Sequence, residues 1–263
     1  MSRTRVSNSR NQIKDELKKE VNEYNETNFK KKNIKDFVNK SDLDKNIQLT
    51  PKQIELFKTI KNNTLTIVQG PSGTAKTFTA CYTALSLYLN SKISKIIITK
   101  PLQTGGLEEV GILPGTLSEK VSPFMNSYIA NFEKIIGKQK TNFLIENGVI
   151  SIETLAFMRG ATFSDSIILL DEAQNCSLSQ LMLWITRLGG GIDGTISKAV
   201  LMGDISQYDI KKKDSKMLEF IDMVNGIENI CEFKFTKEDI VRHKIIIEIV
   251  ERYEKYKSNH SEL

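Results

Sequence analysis

An apolar β-type run, Thr64-Leu-Thr-Ile-Val-Gln69, leads into Gly70-Pro71-Ser72-Gly73-Thr74-Ala75-Lys76-Thr77, and an amphipathic helical run, Phe78 to Leu89, follows. No other stretch limits the fold so sharply. A strand, a glycine-containing loop, a Lys-Thr pair and a helix wrap backbone N–H groups around phosphate oxygens. The fixed donors and the positive end of the helix dipole suit an anion. In such a loop the Lys76 ammonium reaches the β- and γ-phosphates of a nucleotide, and the Thr77 hydroxyl ligates Mg²⁺. Residues Gly70 to Phe78 are therefore the candidate nucleotide site. Ala75 stands where the pattern has glycine. Its methyl group disfavours positive φ, so a negative φ is expected there, with Cβ turned from the phosphates.

Other apolar runs set the fold class. Lys95-Ile-Ile-Ile-Thr99 does not alternate and reads as a fully buried strand. Gly148-Val-Ile-Ser-Ile152 is a weaker strand, Ile167-Ile-Leu-Leu170 and Ala199-Val-Leu-Met202 are strong ones, and Glu232-Phe-Lys-Phe235 alternates like a half-exposed edge. Helical runs lie between most of them. Ahead of the loop, Thr50 and Pro51 mark a helix start, with Ile54, Phe57 and Ile60 as its apolar stripe. The order predicts an α/β architecture: a three-layer, mostly parallel central sheet flanked by helices. Such sheets bind ligands beyond the carboxyl ends of their strands. The loop after Gln69, Thr99-Lys100, Asp171-Glu172 and Gly203-Asp204 all fall at such ends, which predicts one composite site.

Asp171-Glu172-Ala173-Gln174 follows an apolar strand directly. Two carboxylates there are costly to bury unless a cation balances them. The natural balance is Mg²⁺, held by Asp171 from the strand beside the loop strand, with Glu172 orienting an attacking water. The competing reading is an acidic cap on the next helix, about Leu178 to Leu188; beside a phosphate loop the catalytic reading leads. Gln207, after the next strand, could contact a γ-phosphate, but on spacing alone a turn leads, because Gly203-Asp204 is turn chemistry. Gln53 has a carboxamide able to read an adenine edge; in isolation it reads as an exposed helix-start residue. Lys100 and Arg159, near strand ends, fit either a nucleic-acid backbone or solvated surface charge. Arg187 suits the dipole of the helix end where it sits. Arg242 precedes a helical run, Ile245 to Tyr256, on the wrong side of the dipole for a cation. It fits an arginine acting on its own or a neighbouring subunit's nucleotide.

With 263 residues, 40% of them apolar, the chain suits one large domain with an appendage or two small ones. The expected division is a polar arm or short helix over 1–46 and an ATPase-type domain over 47–263. A net charge of +5 is compatible with a phosphate-rich partner without demanding one. No apolar run approaches the roughly 20 residues that span a bilayer, and the N-terminus does not read as a secretory signal. Cys81, Cys176 and Cys231 are too few and too scattered for a disulfide framework and read as reduced thiols of a cytoplasmic protein. Two histidines argue against histidine-rich metal sites and triads.

Taken together the motifs resemble the PhoH-like family of P-loop ATPases, itself similar to the nucleotide-binding half of superfamily 1 helicases. The matching segments are 70–77, Gly111-Ile-Leu-Pro-Gly115 with Glu119-Lys120, Phe157-Met-Arg-Gly160, Ile168 to Asn175, Thr186-Arg-Leu-Gly189, Gly203 to Gln207 and Asp239 to His243. The resemblance implies a RecA/helicase-like fold and ATP with Mg²⁺ as ligands. It implies Gln53 as adenine reader, Lys76, Thr77, Asp171 and Glu172 in the roles above, Gln207 as γ-phosphate sensor and Arg242 as a phosphate-sensing or finger arginine. It also implies single-stranded RNA or DNA as partner and a homo-oligomeric ring, with a hexamer as candidate size. The Lys/Asn/Ile-rich composition suits a phage or an AT-rich bacterium, hence a host cytoplasm in the first case. A coupled ATPase leads; an ATP-dependent switch or assembly protein with slow hydrolysis is the alternative. A small-molecule kinase is disfavoured for want of an acceptor lid.

Overall fold

The computed structural model of the chain describes residues 34, 36–44, 47–101, 117–155, 158–190, 196–205, 216–242, and 245, 248, 249, 252 and 256. The elements in chain order are α1 (Pro51–Asn62), β1 (Leu65–Gln69), α2 (Lys76–Leu89), β2 (Lys95–Lys100), α3 (Leu117–Ile136), α4 (Lys138–Glu146), β3 (Ile150–Thr154), β4 (Ser166–Leu170), α5 (Leu178–Ile185), β5 (Lys198–Gly203), α6 (Lys216–Val224) and β6 (Ile230–Lys234). The six strands form one sheet in the order β3-β2-β4-β5-β1-β6. Every pairing is parallel. All carboxyl ends therefore lie along one edge of the molecule.

Alternation along buried parallel strands builds a core on each face. Val68, Ile96, Ile98, Ile167, Leu169, Val200 and Met202 pack with Leu56 and Ile60 of α1, Cys81 and Leu85 of α2 and Tyr128 and Phe132 of α3. The intervening residues Leu65, Ile67, Ile97, Ile168, Leu170 and Leu201 pack with Leu181 and Trp184 of α5 and Phe220 of α6. The result is helices, sheet, helices: the three-layer α/β sandwich expected from the sequence. β6 is the half-exposed edge strand that its alternation predicts.

Several expectations are corrected. β4 is not beside β1, because β5 lies between them. The buried stripe of α1 is Gln53, Leu56 and Ile60; Ile54 is 41% exposed. A three-residue step drifts around a helix of 3.6 residues per turn, and the face centred on Leu56 reaches the core first. Ahead of residue 47 stands a short helix, Ser41–Asp44. Ile34, Val38 and Leu43 are buried in the core on the α2 side, and Asp42 pairs with Lys140 of α4.

Candidate functional site

Gly70 has φ of +152°, and a Cβ there would meet Phe235 Cβ at 2.6 Å, so glycine lets the end of β6 close against the loop. The chain then turns over the end of β5, with the Gly70 N–H on the Gly203 carbonyl at 3.3 Å. Lys76 begins α2. The first-turn N–H groups of a helix have no acceptor within it, and Lys76, Thr77 and Phe78 all line one cavity of about 680 Å³. Asp171, Glu172, Lys100, Gln53 and Arg242 line the same cavity.

Ala75 is the main correction. It adopts φ 63° and ψ 33°, the left-handed conformation, and caps α2. The chain must reverse sharply so that the Ala75 carbonyl can accept both the Thr79 N–H at 3.0 Å and its hydroxyl at 2.9 Å. That conformation costs an L-residue about 1–2 kcal/mol. The position has the geometry for which the pattern uses glycine, with a methyl group added.

The carboxylates come from the turn after β4. Thr77 Oγ1 donates to Asp171 Oδ2 at 2.7 Å, and the Glu172 N–H donates to Asp171 Oδ1 at 3.0 Å. Burial pushes the Asp171 carboxyl up from its ordinary value, helped by the Glu172 charge and opposed by the Thr77 bond. Glu172 sits at φ 57° ahead of a 3-10 turn, Ala173–Asn175, and its side chain caps nothing. α5 is capped instead by Ser177 and Gln180, which form a reciprocal capping box. That removes the helix-cap reading of the acidic pair. α5 ends at Ile185, where Arg187 donates to the Leu183 and Ala161 carbonyls at 3.2 and 3.1 Å, as its helix-end position suggested.

Lys76 Nζ donates to the carbonyls of Gly70 at 2.6 Å and Pro71 at 3.0 Å. Burial pulls the ammonium below its ordinary value, against the opposite pull of Asp204, Asp171 and Glu172. β5 runs into a turn at Ile205, as the Gly203-Asp204 pair suggested. Gly203 is the last residue of β5, in register with Gln69, and buried Asp204 accepts the Ser72 N–H at 2.9 Å. Arg242 reaches the loop of its own chain, donating to Ser72 Oγ at 3.0 Å. A Cβ on Gly73 would lie 2.6 Å from Arg242 Nε, and Val241 N–H binds the Gly73 carbonyl at 2.9 Å.

Gln53 is 5% exposed, not a surface residue. Its side chain accepts the Thr50 N–H at 3.1 Å in the capping box that starts α1. Lys100, at the end of β2, lines the cavity. Arg159 is exposed and does not line it. Gln207, His243, the loop 111–115 and most of the run 245–256 lie outside the described residues. Sequence reasoning placed Asp204 at the composite site without giving it a role, and passed over Gln174. The signal for Asp204 was its place at the end of a buried strand; Gln174 lay within the acidic segment already singled out. It also missed Ser127, Asn131 and Lys134, which put one face of α3 along the cavity.

The residues present fit a magnesium nucleotide. Mg²⁺ takes one or two protein oxygens and completes its shell with phosphate and water oxygens. Thr77 and Asp171 offer that donor set. Among the described residues no group of three or more His, Cys, Asp or Glu forms an all-protein metal cage.

The family model described as PhoH-like protein matches residues 47–254. The chain belongs to the PhoH-like family. A PhoH-like protein of Bacillus subtilis is 38% identical over 204 residues, covering 77% of this chain and 62% of the relative. Protein PhoH of Escherichia coli K12 is 28% identical over 193 residues, 72% of this chain and 53% of the relative. This chain thus spans about three fifths or less of the length of these PhoH relatives. The large terminase of a thermophilic bacteriophage superposes with a TM-score of 0.51 at 11% identity, covering 80% of this chain and 50% of that one. The PhoH-like domain thereby has a P-loop NTPase fold of the RecA/helicase-like type. No helix among the described residues is long and apolar enough to cross a membrane.

Proposed function

We propose that this PhoH-like chain binds ATP with Mg²⁺ and hydrolyses it by in-line attack of water. One observation carries the reading: Thr77 and Asp171 are in hydrogen-bond contact at 2.7 Å, in a cavity that Lys76 and Glu172 also line. Thr77 and Asp171 would hold Mg²⁺, which supplies charge neutralisation at the phosphates when bound. The N–H groups of residues 73–77 would grip phosphate oxygens. Lys76 would leave its carbonyl partners for the β- and γ-phosphates. Glu172 would orient the water and take its proton. Arg242 would bear on the nucleotide of its own chain, Gln53 on the adenine edge, and Gln207 would act as γ-phosphate sensor.

Turnover would be coupled to single-stranded RNA or DNA. Lys100 and Arg159 lie near the carboxyl ends of the adjacent strands β2 and β3, which supports a phosphate-backbone contact along that edge. A ring of copies in the cytoplasm, a hexamer by family resemblance, would supply the moving parts that one core lacks. One observation favours a slower switch instead. Lys76 is occupied by Gly70 and Pro71, and the Ser72 N–H by Asp204, so nucleotide entry must first break these bonds.

Phosphate release from ATP is the test, measured with Mg²⁺, with chelator, and with or without single-stranded RNA or DNA. Magnesium-dependent release stimulated several-fold by a strand supports the coupled ATPase. Slow release that no strand changes supports the switch. Tight ADP or ATP binding with no release at all would contradict hydrolysis.

A further inference from the structure

Gln174 is 6% exposed and uses both ends of its carboxamide. Nε2 donates to Glu172 Oε2 at 2.6 Å, and Oε1 accepts the Asp204 N–H at 3.1 Å. The orientation is fixed by chemistry. A backbone N–H only donates, so the oxygen faces Asp204 and the NH₂ faces the carboxylate. Gly203 makes room for this arrangement. A Cβ there would lie 2.9 Å from Gln174 Oε1 and 2.5 Å from Met217 Sδ. Asp204 in turn holds the Ser72 N–H, and Ser72 Oγ takes the Arg242 guanidinium. An unbroken line of contacts thus runs from Glu172 through Gln174 and Asp204 to the phosphate loop.

We infer that Gln174 is the positioning residue for Glu172, anchoring that carboxylate to the same Asp204 that holds the phosphate loop. The inference rests on the reading of Glu172 as the residue that orients water. Glu172 has a fixed backbone but a side chain with three rotatable bonds, and the 2.6 Å bond selects one aim among its rotamers. Without it the carboxylate samples positions from which water is not held in line. Gln174 does not line the cavity, and nucleotide affinity should be insensitive to it.

The full chain carrying Gln174→Met is the test, with steady-state ATP hydrolysis, nucleotide affinity and thermal unfolding measured together. Loss of an outer hydrogen-bond partner typically lowers activity by roughly 10- to 100-fold. We expect that fall in kcat, with KM and affinity for ATP–Mg²⁺ within about threefold of wild type, as for an interaction that serves only the reacting geometry. In a Glu172→Ala background, Gln174→Met should lower the residual rate by less than about twofold, because the two residues act as one unit. Gly203→Ala, whose Cβ would press on Gln174 Oε1 and on the flexible end of Met217, should reproduce the kcat loss and serves if Gln174→Met does not fold. A folded Gln174→Met protein with wild-type kcat, or losses that multiply in the double variant, overturns the inference while leaving the ATPase reading intact. Wild-type protein without magnesium-dependent turnover overturns both.

Discussion

The Thr77 hydroxyl and the Asp171 carboxylate meet at 2.7 Å although β1, which leads into the loop, and β4, which leads into Asp171, are not neighbours. β5 separates β1 from β4, and the loop crosses over its end, where Gly203 presents no side chain. The contact places a carboxylate in a buried site. Asp171 is raised by burial and by Glu172. A raised folded value means that protonation favours the fold. The stability linked to Asp171 is present below the ordinary carboxyl value of 3.8 and is lost as pH rises through the folded value. At neutral pH the ionised group is therefore a cost to the nucleotide-free protein. Asp171→Asn should raise Tm near pH 7, with the difference shrinking toward pH 4, and should abolish the extra Tm gained from ATP–Mg²⁺. A lower Tm at neutral pH would contradict the account.

Arg242 lies on the phosphate loop of its own chain, donating to Ser72 Oγ at 3.0 Å. Arg242→Ala should lower turnover by at least about tenfold. Mixing it with Glu172→Gln protein should restore nothing, because each active site needs both residues from one chain. Recovery of activity in the mixture, read as phosphate release, would assign the arginine to a neighbouring subunit.

The helix cap at Ala75 carries a methyl group at φ 63°. Ala75→Gly removes a left-handed strain of about 1–2 kcal/mol and adds about 0.4–1 kcal/mol of unfolded-chain entropy. Denaturant unfolding should therefore show between no change and about 1.6 kcal/mol of added stability. A clear loss would mean that the methyl group is packed, not strained.

Tyr128 is fully buried on α3, and its hydroxyl has no hydrogen-bond partner among the described residues. Removing an unsatisfied buried hydroxyl while keeping the ring is neutral or stabilising. Tyr128→Phe should leave stability unchanged or raise it by up to about 1 kcal/mol, with ATP affinity unaltered. A loss above about 1 kcal/mol would show that the hydroxyl is hydrogen-bonded in solution.

Much of this was legible because short-range patterns carry it. The buried runs at Ile96–Ile98 and Ile167–Leu170 show no alternation because both faces of a parallel strand are covered, and that alone predicts the layers. Thr50 and Pro51 mark the start of α1 in adjacent residues. Long-range facts were not legible. Nothing within 70–77 records that β5 lies beside β1, or that Asp204 takes the Ser72 N–H from 132 positions away. The sign of φ at Ala75 was misjudged for the same reason. Intrinsic preference argued for a negative value, and the crossing over β5 with the start of α2 overrode it. Gln53 looked exposed because one residue at a helix start carries no mark of what packs above it.

The central claim is that Glu172 and Lys76 share one hydrolytic pocket with separate duties. Binding of ATP–Mg²⁺ by calorimetry, beside phosphate release, for wild type, Lys76→Ala and Glu172→Gln tests it most directly. The account predicts lost binding for Lys76→Ala, and retained binding with turnover reduced at least about 100-fold for Glu172→Gln. Normal turnover in the Glu172→Gln protein would contradict it.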